Sequence, residues 1–195
     1  MSKRTTFTST TPLPLSMTRE AVVAFLHDYD EMISLNPLVT EYHRIEAPSH
    51  AAPDELDCVW YSVTDKISYL PGGLITGHVT YTVAFDRLPN GIQSHCYAPA
   101  GVDLREKWTL NGTLPGEPPE PVQLGAPGSG LYMREDVDMR CNLLMSGFVK
   151  KTLKKAHATL VDRIKDKIKP VPVGSQPPQA RDGKPTSAGA RPRQS

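Results

Sequence analysis

VKKTLKKAHATLVDRIKDKI, residues 149–168, decides the fold. Val149, Leu153, Ala156, Leu160, Ile164 and Ile168 recur at steps of four, three, four, four and four. That is the stripe of one long amphipathic helix. Lys150, Lys151, Lys154, Lys155, Arg163, Lys165 and Lys167 mostly take its other faces, and Pro170 stops it. A stripe of this length has to be buried against another element, and the strands upstream offer the only large apolar surface. The expectation is an α+β domain, a curved antiparallel sheet closed over a C-terminal helix.

Working back from the helix, 130–141 and 102–110 read as two strands. In the first, Leu131, Met133, Glu135, Val137, Met139 and Cys141 share one parity; in the second, Val102, Leu104, Glu106, Trp108 and Leu110 do. Period-two alternation turns each set inward and leaves Asp103, Arg105, Lys107, Arg134, Asp136, Asp138 and Arg140 outside. Further strands are expected over 3–11, 38–46, 56–70, 74–87 and 92–98, giving about six or seven in all. Leu70-Pro71-Gly72-Gly73 and Leu88-Pro89-Asn90-Gly91 are turn signals that make an antiparallel meander, and Pro99-Ala100-Gly101 reads as a kink or bulge. Thr18 is the expected N-cap of a helix striped by Val22, Leu26, Tyr29 and Ile33, broken near Asp28 and ended by Asn36-Pro37.

The outward charges choose how the last two strands pair. Setting Asp103 against Arg140, Arg105 against Asp138 and Lys107 against Asp136 joins opposite signs; a shift of two residues sets Asp103 against Asp138 and Lys107 against Arg134. Opposite pairs contribute about 0.2–1 kcal/mol each, so the first register is expected. Glu106 then faces Val137, Glu135 faces Trp108, and the two glutamates are diagonal neighbours on an apolar wall. Carboxylates in such a wall are costly unless protonated or paired. They read as a polar anchor in a cavity or as a general acid/base, against the plainer readings of a wet sheet rim or a neutralising arginine. Trp108, Met133 and Tyr81 are the companion ligand-contact candidates; Tyr81 shares parity with Ile75, Val79, Val83 and Phe85. In 56–70, Tyr61 and Tyr69 share parity with Val59, Val63 and Ile67 while Cys58 and Trp60 share the other, so the inner face stays open. His78 and His95 are expected outward, and His27 and Asp28 at the surface.

Composition narrows the class. The 195 residues suit one domain, at most two, and the net charge of +1 conceals an acidic stretch followed by a basic one. Residues 1–142 hold 10 Lys/Arg against 18 Asp/Glu, and 143–169 hold 8 against 2. The favoured reading is attraction between sheet and helix; the sharper one is weak contact of the basic helix with an anionic surface such as a membrane. Residues 170–195 carry six prolines and three glycines and are expected to form a disordered tail after a domain at 1–169. No stretch has signal-peptide or membrane-span character, and Cys58, Cys96 and Cys141 show no CxxC spacing, so a cytoplasmic protein without metal or cofactor is expected. The six histidines never fall at i, i+3 or i+4, and no nucleic-acid motif is present. Asn111-Gly112-Thr113 is expected as a turn, opening a loop over 111–129 that is either a lid or a disordered insertion.

The order strand, helix pair, meander, long C-terminal helix resembles the helix-grip superfamily, which takes in START domains, plant pollen allergens and bacterial polyketide aromatase/cyclases. The passage Asp30-Glu31-Met32-Ile33-Ser34-Leu35-Asn36-Pro37-Leu38 is similar to the helix-to-strand passage of such domains. Residues 1–169 also resemble a family of fungal proteins of unknown function, through Cys58-Val59-Trp60-Tyr61, Tyr97-Ala98-Pro99-Ala100-Gly101, Glu106-Lys107-Trp108-Thr109-Leu110 and Phe148-Val149-Lys150-Lys151-Thr152-Leu153, among others. The resemblance implies the fold and little chemistry. Three functions follow as expectations: binding of a small hydrophobic ligand (lipid, sterol, quinone or polyketide) between sheet and helix; a cyclase or dehydratase using Glu106 or Glu135; or a protein-interaction module without a small ligand.

Overall fold

The computed structural model describes residues 2–68, 76–118, 121, 125–143 and 146–168, the side chains at 68, 148, 156–158, 160 and 161 apart. The tail, Tyr69 and the turn at 70–73 lie outside the described residues. Seven strands form one antiparallel sheet: β1 (Ser2–Pro12), β2 (Val39–Ile45), β3 (Val59–Ser68), β4 (Thr76–Leu88), β5 (Gly91–Ala98), β6 (Val102–Thr113) and β7 (Gly130–Asn142). Their order is β1-β7-β6-β5-β4-β3-β2, so each strand from β2 to β7 pairs with its sequence neighbour and β1 joins the far edge. The fold is helix-grip α+β: the curved sheet packs its concave face on α1 (Arg19–Leu26), α2 (Tyr29–Leu35) and α3 (Ser146–Lys167).

The β6–β7 register is the one the charges select: Asp103 opposes Arg140, Arg105 opposes Asp138 and Lys107 opposes Asp136. The concave core joins Val22 and Leu26 of α1, Ile33 of α2, strand residues such as Val63, Val83, Trp108 and Met133, and Ile164 and Ile168 at the end of α3. Lys167 Nζ of α3 lies 2.7 Å from Glu31 of α2, and the Lys150 and Lys154 ammonium groups lie 5.6 and 5.0 Å from the Phe7 ring centroid of β1. Gly91 is required because a Cβ there would sit 1.9 Å from the Trp108 carbonyl oxygen.

The helix pair breaks where Asp28 caps α2, its side chain accepting from the Glu31 N–H at 3.1 Å. Asp28→Ala should lower stability by about 0.5–2 kcal/mol, read as a shift in urea midpoint at constant slope. Some expectations are corrected. β3 begins at Val59, and 56–58 belong to a strap crossing the convex face. Asn111-Gly112-Thr113 closes β6 and is not a loop turn. His27 is half-buried, its Nε2 2.9 and 3.0 Å from the Leu88 and Gly91 carbonyl oxygens, so it holds the β4–β5 turn against α1. The described start of the long loop is fastened down: Glu117 accepts from Arg19 and from the Leu114 N–H, both at 2.8 Å.

Candidate ligand-binding site

Between the concave face and α3 lies a hollow of about 300 Å³, the lower end of the size range for small-molecule sites. Its walls are mostly apolar. Ile67, Val79, Cys96 and Leu104 come from four strands, and Val149 and Leu153 from α3. A second space of about 80 Å³ adjoins it under α2 and shares Asn36, Tyr81, Cys96 and Glu106 as lining.

Of the residues expected at the site, Tyr81 and Glu106 line both spaces and Trp108 lines the smaller one. Glu135 and Met133 share their face without being lining residues of either. Met133 is 1% exposed in the core, and Glu135 accepts a hydrogen bond from Ser9 Oγ at 2.7 Å from the neighbouring strand. Ser94 Oγ lies 3.4 Å from Glu106 Oε2.

Sequence reasoning missed Asp65. It lies on the inward parity of β3 between Val63 and Ile67, is 8% exposed, and accepts from Tyr81 Oη at 3.3 Å. Burial pushes its carboxyl from an ordinary 3.8 up to about 6, only partly opposed by the Tyr81 hydrogen bond. Burial first, then the Asp65 charge, drive the Tyr81 hydroxyl well up, with Glu106 adding to the effect. Raised above its unfolded value, the Asp65 pKa makes the neutral carboxyl stabilising below about 3.8, and that stability is lost as pH rises to about 6. Asp65→Asn should therefore be more stable than wild type at neutral pH by up to about 3 kcal/mol. The difference should vanish near pH 3.8; thermal melts of both proteins across that range check it.

The convex face holds a second polar cluster. His95 points outward as expected but is 5% exposed, because the strap at 46–58 covers it. Glu55, in the short 3-10 turn Pro53–Glu55, is 6% exposed; its Oε1 lies 2.5 Å from His95 Nδ1, and its Oε2 accepts from Tyr97 Oη at 2.6 Å. Asp103 Oδ1 lies 3.0 Å from His95 Nε2. Burial would raise the Glu55 carboxyl, but the hydrogen bonds from Tyr97 and His95 and the His95 charge outweigh it and hold the pKa below 4.5. Trp60, 1% exposed, stacks on Tyr97 and donates to the Glu55 carbonyl at 2.9 Å. Both faces of β3 are thus covered, which is why both parities carry apolar residues. The odd set, with Tyr61, Val63 and Asp65, faces the helices. An open polar groove of about 440 Å³ lies farther along the same face, with Arg105, Lys107, Asp136 and Asp138 in its walls.

A helix-grip α+β domain with an apolar hollow under its long helix is the class these features define. The chain belongs to the family described as "Domain of unknown function (DUF7053)", which matches residues 2–170. Similar solved structures include the di-domain ARO/CYC BexL from the BE-7585A biosynthetic pathway, at 14% identity and a TM-score of 0.57 over 87% of this chain and 51% of that one. The di-domain ARO/CYC StfQ from the steffimycin biosynthetic pathway is similar at 10% identity and a TM-score of 0.57, over 85% of this chain and 51% of that one. A START superfamily protein from Mycobacterium smegmatis is similar at 11% identity and a TM-score of 0.51, over 84% of this chain and 96% of that one. The chain spans about half the length of the two di-domain proteins. No curated protein matches it in sequence. At these identities the likeness shows the fold. Among the described residues, no helix is long and apolar enough to cross a membrane.

Proposed function

We propose that this protein binds a small hydrophobic molecule, of the size of a sterol fragment, quinone or polyketide, in the hollow between the sheet and α3. The observation that carries the reading is the hollow itself: apolar walls from β3 to β6 and α3, with a polar group of Asp65, Tyr81 and Glu106 at one side. Apolar walls supply affinity, and a few placed polar groups fix orientation. Tyr81, Glu106 and Trp108 are assigned to ligand contact, with Asp65 added, while Glu135 and Met133 support the wall behind them. The folds of two ARO/CYC proteins and a START protein suit such a role. Three free cysteines suit a reducing compartment such as the cytoplasm, and the α3 lysines suit weak contact with an anionic membrane surface during loading.

Val79→Trp places an indole in the hollow from the wall opposite α3. Titrating wild type and variant with a neutral environment-sensitive fluorophore should show saturable binding to the first and little to the second, with circular dichroism reporting both folded. Equal binding by both proteins would move the site elsewhere.

A further inference from the structure

The polar side of the hollow has one sign of charge. Among the described residues that line it are two carboxylates, Asp65 and Glu106, and no lysine, arginine or histidine. β3 and β4 pair Asp65 with Val79 and Val63 with Tyr81, which brings the Tyr81 hydroxyl diagonally onto the Asp65 carboxylate. Their hydrogen bond, at 3.3 Å, is long and comes from a neutral donor. The fields of Asp65 and Glu106 also converge on Cys96, whose thiol is pushed well up by burial first and then by these two carboxylates.

A carboxylate accepts at about four lone-pair sites. One neutral bond of this length replaces little of the water that Asp65 gives up when it is 8% exposed. Ligand groups differ in how well they restore that loss. A hydroxyl donates one hydrogen bond and brings no charge. An ammonium donates up to three and brings a full opposite charge into a site of low dielectric. A carboxylate or phosphate head brings like charge against Asp65 and Glu106 and is repelled.

We infer that the hollow takes a hydrophobic amine, its ammonium group seated on Asp65 beside the Tyr81 hydroxyl, and turns away fatty acids and other anionic amphiphiles. This rests on the reading of the hollow as a ligand site and adds the chemical class of the ligand. The amine's apolar body lies along Ile67, Val79 and Leu104 toward α3.

The test uses three matched naphthalenes carrying aminomethyl, hydroxymethyl and carboxylate groups, titrated calorimetrically into the full chain at pH 7.5. The amine is expected to bind at least about tenfold tighter than the alcohol, and the carboxylate most weakly. Asp65→Asn should bring the amine down to about the alcohol's affinity, costing the amine far more than the alcohol, and Tyr81→Phe should narrow the gap in the same direction. Amine binding no tighter than alcohol binding, or carboxylate binding tightest, would overturn the inference; alcohol binding that disappears in Val79→Trp would then still uphold the ligand site. An amine preference that survives both Asp65→Asn and Tyr81→Phe would also overturn it. If none of the three binds, the inference and the ligand-site reading fall together.

Discussion

His95→Leu is expected to cost about 3 kcal/mol of stability, the scale for leaving a buried carboxylate without one of its hydrogen-bond partners. The imidazole stands between Glu55 and Asp103, and both it and Glu55 are nearly inaccessible to water. Without it, the Glu55 carboxylate keeps the Tyr97 hydroxyl, but the nearest cation is Arg105, 3.9 Å away and half exposed. The loss should appear first in the strap at 46–58, whose amides should exchange with deuterium faster while those of β6 and β7 stay protected. Asp103→Asn is the control. Its carboxylate is 43% exposed, so the change should cost under about 1 kcal/mol. The folded-state pKa of Glu55 is depressed, so its contribution is present above 4.5 and is lost as the pH falls below that value. A His95→Leu protein within 1 kcal/mol of wild type would show that the strap is held by Trp60 and the aromatic stack alone.

Ile164→Ala should cost about 2–5 kcal/mol, the range for truncating a buried large aliphatic side chain. Ile164 is 0% exposed and joins α3 to the same core as Val22, Leu26 and Met133. Lys155→Ala, an exposed change on the same helix, should cost under about 0.5 kcal/mol. Equal losses from the two variants, measured by denaturant titration, would contradict the assignment of the buried stripe.

Much of the fold was legible because period and charge act locally. The spacing of Ile164 and Ile168 marks the buried side of α3, and three outward positions of opposite charge stand across from one another in the β6–β7 register. The glutamates stood out by parity alone: Glu106 reaches the hollow, while Glu135, on the next strand, is turned toward Ser9 of β1. That partner could not be read because β1 pairs with β7 across more than a hundred residues. Asp65 carried the same parity signal as the glutamates. It was hidden because Trp60 and Cys58 made β3 look apolar on both sides, and the strap that buries Trp60 has no periodicity of its own. His95 shows the same limit. Alternation says which face a side chain leaves by, and a covering segment 40 residues away decides whether water is there.

Native mass spectrometry of the protein purified from its own cells, wild type beside Val79→Trp, tests the central claim most directly. A wild-type protein carrying a small hydrophobic adduct that is absent from Val79→Trp, with both folded, is the result expected for a ligand held between sheet and α3. A wild-type protein free of adduct that also fails to take up a neutral hydrophobic probe, or an adduct retained unchanged by Val79→Trp, would contradict it.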